Sequence, residues 1–375
     1  MQEHPICMTK NSEFEEFYLN MGPQHPSTHG VLHLLLKMDG EVVVHSVVDI
    51  GYLHRGLEKL AEKRTYQGNI ALSDRWDYLA SMNNNFAMCL TVEKIMKLQI
   101  PKRAEYIRVI MAELNRIASH LILFGTYGID MGAWTAILYG FRERERIMDL
   151  FESVCGARLT YNYFRIGGVS ADLPAGFVEK TKEFIKYFRK KLKEYDDLLS
   201  NNVIFQDRVK NIGIFPKECV IDYGLSGPNL RGSGVKFDIR KNDTYSVYNE
   251  FDFDIPVGTK GDAWDRYYVR MREMYESTKI IEQALEKLQD GEIWAKVPRV
   301  IRLPKGEVYI RTEAPRGELG IYLISDGGTS PYRMKIRGPS FVNLQILQKV
   351  LNGLKIADVV AVLASIDIVL GEVDR

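Results

Sequence analysis

Cysteine is scarce in this chain of 375 residues, which has four, Cys7, Cys89, Cys155 and Cys219. No two of them form a CxxC pair, so the sequence excludes a zinc ribbon, a thioredoxin-type motif and a cluster site built from a single motif. The low density also argues against a disulfide framework, which fits a reducing compartment.

Neither sign of charge is in excess, because 50 lysines and arginines accompany 49 aspartates and glutamates. Nucleic-acid-binding proteins usually show a basic excess, so we expect no nucleic-acid partner, although a local basic patch can hide in a neutral total. The hydrophobic share of 46% is that of an ordinary globular protein and excludes a chain that is disordered as a whole.

Long hydrophobic runs are also missing. The most apolar stretch, residues 356–370, contains Asp358 and Asp367 and is too short to span a bilayer. The N-terminus has neither the basic region nor the apolar core of a secretory signal. We therefore expect a soluble, cytoplasmic chain that reaches a membrane only through partner subunits.

The hydrophobic pattern that is present predicts an α+β fold dominated by helices. Two apolar runs flank Asp39 and Gly40, which is typical of a β-hairpin. Helical spacing follows in four long stretches, and Gly125 and Gly128 are expected to end the one that begins near residue 104. The predicted long helices cover residues 104–124, 134–154, 174–199 and 264–289.

We expect one compact unit made of three regions. Residues 1–82 hold the hairpin and the loops of the site, residues 83–300 hold the helical core with Gly-rich loops at 223–262, and residues 301–375 hold a β segment and the C-terminal helices.

All seven histidines fall in the first 120 residues, and they are densest in MGPQHPSTHGVLH, residues 21–33. His25 and His29 have i,i+4 spacing, but the residues around them favour a loop. Pro26 stands where the HExxH zinc motif needs glutamate, so no metal site is expected here. By pattern alone, a loop with locally hydrogen-bonded histidines is the simpler interpretation.

Other polar segments leave alternatives open. The run DRWDY, ending at Tyr78, is either a helix start that lines a cleft or an ordinary capped helix start. Asp130 is either buried with a partner or a helix N-cap, and the pattern favours the cap. The arginines of residues 266–272 are interpreted as a solvated face or a subunit interface.

Several longer segments resemble one family, the quinone-site or D subunit of respiratory NADH-quinone oxidoreductase, complex I. They are MGPQHPSTHGVLH, IGYLHRGLEK, DRWDYLASM, the run RGSGVKFDIRKNDTYSVYNEFDFDIPVGTKGDAWDRYYVR and residues 331–375. The resemblance extends from about residue 18 to residue 375. It implies membership of a proton-translocating NADH dehydrogenase complex of the respiratory chain.

That family is related to the large subunit of nickel–iron hydrogenases, so the resemblance implies a hydrogenase-like fold with a central helical bundle and small β elements at both ends. Hydrogenases hold their metals with two CxxC pairs, whereas the matching segments here, SDRWDYLASM and SIDIVLGEVDR, contain no cysteine. No metal site is therefore expected, and the former metal cavity is expected to receive a quinone headgroup.

The resemblance also implies site residues. His29 and Tyr78 would donate hydrogen bonds and protons to the two carbonyl oxygens of the quinone. Tyrosine stays a neutral donor at pH 7, whereas histidine can donate as imidazolium, a form that Asp130 would favour. A changed charge at Asp130 after reduction would start the coupling to proton pumping in other subunits.

The electrons are implied to come from a 4Fe-4S cluster held by a partner, the B subunit. Arg55 and Arg75 stand in motifs that the family places near that cluster, where positive charge would raise its potential. Thr160 departs from the family pattern, because many members have a histidine there that is linked to protonation of the cluster. A lower-potential cluster and a low-potential quinone such as menaquinone are therefore expected.

The C and H subunits are further implied partners. The C subunit is expected as a separate chain, and docking on the membrane-embedded H subunit would place this chain at the cytoplasmic face of the cell membrane. An alternative of another class is a non-catalytic scaffold subunit of a related membrane oxidoreductase or hydrogenase-type complex. The joint presence of His29, Tyr78 and Asp130 argues against that alternative.

Overall fold

A computed structural model of the chain describes residues 16–375 and confirms the α+β prediction. Residues 1–15, which carry His4, Cys7 and the start of the predicted 1–82 region, lie outside the described residues. The elements are β1 Glu16–Met21, β2 His33–Asp39, β3 Val42–Asp49, α1 Leu57–Glu62, α2 Tyr66–Ser73, α3 Ser81–Met96, α4 Lys102–Asp130, α5 Thr135–Cys155, β4 Phe164–Arg165, β5 Gly168–Val169, α6 Phe177–Tyr195, α7 Val203–Val209, α8 Lys217–Asp222, α9 Gly227–Gly232, α10 Ile239–Asn242, α11 Ala263–Lys287, β6 Gly306–Ala314, β7 Gly317–Ser325, β8 Arg333–Arg337, α12 Pro339–Leu344, α13 Leu347–Val350, α14 Ile356–Ile366 and α15 Leu370–Val373.

The N-terminal sheet has the antiparallel order β1-β2-β3, so the predicted hairpin is confirmed. Gly40 lies in its turn with a φ of 57°, a left-handed conformation that glycine adopts without strain. Alternate residues of β2, such as Leu34 and Leu36, are buried in one apolar cluster with Val359 and Val362 of α14. This packing brings the first and last parts of the chain together.

The helical core is built around α4, which packs against α5 and α11 and is buried along most of its length. The prediction that Gly125 and Gly128 end this helix is wrong, because α4 continues to Asp130. A Cβ atom at Gly125 would lie 2.7 Å from Cα of Ile137, and one at Gly128 would lie 2.6 Å from Cβ of Ala136. The absence of side chains at these two glycines therefore allows α4 and α5 to cross closely.

The interpretation of residues 266–272 as a solvated face is wrong for Arg266 and Arg270, which are fully buried, while Arg272 is exposed. The guanidinium of Arg266 stacks 3.7 Å from the ring centre of Phe215. Arg270 donates to the carbonyl oxygens of Ser365 and Ile366, at 2.9 Å each. Arg270 thus satisfies C-terminal carbonyls of α14 from inside the protein.

The C-terminus is anchored to the N-terminal region. The carboxylate of Asp374 accepts hydrogen bonds from the backbone N–H groups of Gly51 and Leu53, at 2.9 and 2.7 Å. None of the helices within residues 16–375 combines the length and apolar character that a membrane crossing needs.

Candidate functional site

His29 and Asp130 form the centre of the site. A short 3-10 turn over Pro26–Thr28 precedes His29, whose left-handed backbone (φ 54°, ψ 35°) directs its ring towards the end of α4. There His29 Nε2 lies 2.7 Å from Asp130 Oδ2, and the two side chains are 17% and 10% exposed. The N-cap prediction for Asp130 is therefore wrong, because Asp130 is the last residue of α4 and is half of a partly buried pair.

The interpretation that the histidines of this loop form local hydrogen bonds is correct for His25 but not for His29. Its Nδ1 accepts a hydrogen bond of 3.2 Å from the backbone N–H of Ser27, so His25 caps the turn. His29 instead contacts a residue 101 positions further along the chain.

Tyr78 lies in the turn between α2 and α3. Neighbouring Trp76 and Asp77 are buried, and the Asp77 carboxylate accepts the backbone N–H of Leu79 at 3.1 Å, which fixes the turn. Tyr78 itself is 37% exposed. Burial of its hydroxyl, opposed by the Arg316 cation, raises the pKa of Tyr78 above 10.0, so the O–H stays intact at neutral pH.

Both loops pack on the start of α15. A Cβ atom at Gly30, next to His29, would lie 2.8 Å from Cδ1 of Leu370. A Cβ atom at Gly371 would lie 3.5 Å from Cδ1 of Tyr78. Consecutive residues of one short helix therefore contact the loop that carries the histidine and the turn that carries the tyrosine.

Behind Tyr78 lies a buried ion cluster that the sequence reasoning missed. The Arg316 guanidinium donates to Asp77 at 2.6 Å, to Asp367 at 3.1 Å and to Ser119 Oγ at 2.9 Å. Arg270 Nε lies 3.8 Å from the other oxygen of Asp367. The only local signal was a set of acidic residues within the otherwise apolar run SIDIVLGEVDR, since isolated charges among apolar residues are buried with partners.

Glu372 completes this cluster. Its side chain is fully buried, and its Oε2 accepts the backbone N–H of Ser340 at 2.9 Å. Burial, and after it the negative charge of Asp77, raises the pKa of Glu372 to about 7.

Arg55 and Arg75 lie together at the surface beside the site. Arg55 Nη2 donates to the carbonyl oxygen of Arg75 at 2.8 Å, and Arg75 Nη1 lies 3.5 Å from Asp74. Asp74 is buried, and burial raises its pKa to about 6. Thr160 is partly buried with a φ of 53°, in the loop between α5 and β4.

A cavity of about 940 Å³ lies elsewhere, between the end of α3, the loop at residues 243–247 and β6. It is lined by none of His29, Tyr78 and Asp130. Within residues 16–375, no three His, Cys, Asp or Glu side chains are arranged to hold a metal ion. The chemistry of the His29–Asp130 pair and of Tyr78 therefore identifies the candidate site better than cavity size does.

Comparison with known proteins identifies the family. A family profile described as the 49 kDa subunit of respiratory-chain NADH dehydrogenase matches residues 130–375. The D subunit of NADH-quinone oxidoreductase from Bacillus mycoides (strain KBAB4) is 55% identical over 361 residues, which are 96% of this chain and 99% of the relative. Proteins of the same name from Bacillus cytotoxicus and Bacillus anthracis are 56% and 55% identical over the same coverage. This chain belongs to the family of the 49 kDa subunit of respiratory-chain NADH dehydrogenase and is a subunit of the NADH-quinone oxidoreductase complex.

Proposed function

We propose that this chain binds the quinone headgroup and supplies protons for its reduction through His29 and Tyr78. The observation that carries the proposal is the contact of 2.7 Å between His29 Nε2 and Asp130 Oδ2, in a pair that is only partly exposed. Reduction of a quinone to a quinol consumes two electrons and two protons, and each carbonyl oxygen needs one donor. His29 and Tyr78 provide those two donors.

The His29–Asp130 pair determines when His29 can donate. A carboxylate is only an acceptor, so Nε2 of His29 carries its hydrogen and donates to Asp130. Nδ1, which has no hydrogen-bond partner within residues 16–375, carries a hydrogen only when the ring is an imidazolium. That ring can give the Nδ1 proton to one quinone oxygen and become a neutral imidazole while its bond to Asp130 is retained.

Tyr78 is suited to the other oxygen. Its hydroxyl has no hydrogen-bond partner among the residues that the structure describes, and its raised pKa keeps it protonated. The nearby Arg316 and Arg55 cations favour the phenolate that remains once the proton has been given away.

The charge change at the pair is the proposed link to proton translocation. Proton donation converts an imidazolium–carboxylate pair into a neutral imidazole beside a carboxylate, so the site gains one negative charge. In a partly buried site such a change acts over a long distance, because little water screens it. We infer that partner subunits respond to it by moving protons.

Electrons enter this scheme from an iron–sulfur cluster held by a partner, inferred to be the B subunit. Arg55 and Arg75 would lie at that contact, where their exposed charges can raise the cluster potential. The C and H subunits are the other inferred partners, at the cytoplasmic face of the membrane. We also infer a hydrogenase-like ancestry for the fold. We further infer that regions 1–82, 83–300 and 301–375 form a single unit, because Arg316 of the third region hydrogen-bonds to Asp77 of the first, Ser119 of the second and Asp367 of the third.

Tyr78→Phe in the assembled complex tests the proposal, with Tyr332→Phe as the matched control because Tyr332 is 67% exposed and lies in the connection between β7 and β8. We expect Tyr78→Phe to assemble on native gels, to keep NADH oxidation with an artificial acceptor and to lose at least about 100-fold in quinone reduction. Unchanged quinone reduction in an assembled Tyr78→Phe complex would refute the proposal and favour the scaffold alternative.

A further inference from the structure

The strand β6 is one edge of the C-terminal sheet, whose order is β6-β7-β8, so β6 pairs only with β7. It is nine residues long and has no proline, no lysine and no shift of register, which are features that protect other edge strands from pairing with a second chain. The opposite edge, β8, packs against α1, and the backbone N–H of Ile336 donates to Glu58 Oε1 at 3.1 Å. Only one end of β6 is covered in a comparable way.

That covered end shows which backbone groups of β6 face the edge. The N–H of Glu313 donates to the Tyr245 hydroxyl at 3.3 Å, and the carbonyl oxygen of Glu313 accepts from Arg116. The N–H of the cross-strand partner, Glu318, donates to Ser226 Oγ at 3.0 Å. Glu313 and Glu318 therefore form no backbone hydrogen bonds with each other, and in an antiparallel ladder such pairs recur at every second residue.

The same alternation leaves the backbone of Glu307, Tyr309 and Arg311 open at the edge. Their N–H and C=O groups point away from β7, and none of them bonds to another element that the structure describes. The ring of Tyr309 does not cover them, because its hydroxyl donates to Glu318 Oε1 at 2.9 Å. A Cβ atom at Gly320 of β7 would lie 2.2 Å from that hydroxyl oxygen, so the ring lies across β7.

The cavity of about 940 Å³ follows this open edge, because residues 309–311 form one of its walls. The end of α3 and the loop at residues 243–247 form the others. Lys94 and Lys97 belong to the lining, are exposed and make no ion pair with any described residue. The other charged groups of the lining are paired or hydrogen-bonded within the chain, so the unbalanced charge of the cavity is positive.

We propose that an extended segment of a neighbouring subunit of the complex occupies this cavity, adds a strand to β6 and directs acidic side chains towards Lys94 and Lys97. The added strand would lie about 4.8 Å from β6 and would satisfy the open backbone groups of Tyr309 and Arg311. Backbone pairing supplies affinity for any extended chain, whereas the two lysines select a segment with acidic residues. This inference is independent of the proposed quinone site.

Tyr309→Pro in the assembled complex tests the backbone pairing, with Tyr309→Ala as the matched control. Both variants lose the ring, but only proline also removes the N–H that the added strand needs, and this N–H makes no bond to β7. We expect the Arg311 amide to exchange its hydrogen at least about tenfold faster in Tyr309→Pro than in the wild-type complex. Tyr309→Ala should retain slow exchange.

Lys94→Glu/Lys97→Glu tests the charge of the segment. The control is Lys182→Glu/Lys186→Glu, which makes the same change of net charge at exposed positions of α6. Because acidic side chains would be repelled by the new glutamates, we expect the first double variant to lose the slow exchange of the Arg311 amide. The control should retain it.

A photo-crosslinking residue, p-benzoylphenylalanine, placed at position 309 identifies the occupant even if Tyr309→Pro does not assemble. We expect a cross-link to a segment of another subunit that contains aspartate or glutamate. Cross-links confined to this chain, or to a second copy of it, would overturn the inference. Rapid exchange of the Arg311 amide in the wild-type complex, or unchanged slow exchange in an assembled Tyr309→Pro complex, would overturn it as well.

Discussion

The packing of Gly371 against the turn that carries Tyr78 allows a test that leaves every polar group of the site in place. Gly371→Ala adds one methyl group, which would lie 2.6 Å from the carbonyl oxygen of Trp76 and 3.0 Å from that of Arg75. Both are backbone atoms, so neither can be relieved by a side-chain rotation. The turn must retreat until the first distance reaches about 3.4 Å, where ordinary contacts begin.

A displacement of this size has a different effect on stability and on catalysis. Overpacking of this kind typically costs about 1–3 kcal/mol, and alanine is the better helix former within α15 by about 1 kcal/mol. The complex should therefore still assemble. A catalytic group that moves by about 1 Å can lose up to about 100-fold in rate, so we expect quinone turnover to decrease between about tenfold and 100-fold.

The assay compares quinone reduction with NADH oxidation by an artificial acceptor in the same membranes, after native gels have confirmed assembly. Gly291→Ala is the control, because its Cβ would lie 3.8 Å from Cβ of Arg103 and residue 291 is exposed. Only the Gly371→Ala complex should lose quinone reduction. Full quinone reduction in an assembled Gly371→Ala complex would show that the position of Tyr78 against α15 does not matter for the reaction.

Two further predictions concern buried charges near the site. Burial raises the pKa of Asp74 from 3.8 to about 6, so the folded state binds this proton more tightly than the unfolded state, and the resulting stabilisation is complete below pH 3.8 and lost as the pH rises to about 6. This leaves a deficit of about 3 kcal/mol at pH 7 relative to acid, and of about 1 kcal/mol at pH 4.5. Asp74→Asn should therefore raise the thermal midpoint of the complex at pH 7.5 and have about a third of that effect at pH 4.5; an equal change at both pH values would contradict this assignment. Arg316→Met leaves Asp77 and Asp367 without their shared cation, which should cost about 3–5 kcal/mol and abolish assembly on native gels, while Arg316→Lys should retain part of it. Normal assembly of Arg316→Met would show that the cluster is not an ion-paired unit.

The sequence determined most of the secondary structure and, through the family resemblance, the identities of the proposed site residues. The Asp39–Gly40 hairpin and the helix at residues 135–155 follow from turn chemistry and from apolar periodicity, which act between near neighbours. His29 and Tyr78 were found because each lies within a distinctive motif. Such local signals can be recognised without knowing which segments pack together.

Only the tertiary structure decided what those residues contact. The sequence around Asp130 has a helical pattern whether or not the side chain has a partner. Its pairing with His29 depends on a turn that lies 101 residues earlier in the chain. From the sequence alone, Gly125 and Gly128 indicate the end of a helix. Only the contact with α5 explains why they lie inside α4. Arg316 and Glu372 lie in unrelated segments, and only folding places them in one buried cluster with Asp77, where an unpaired charge is costly. Periodicity describes one segment at a time, whereas pairing and burial depend on which distant segments pack together.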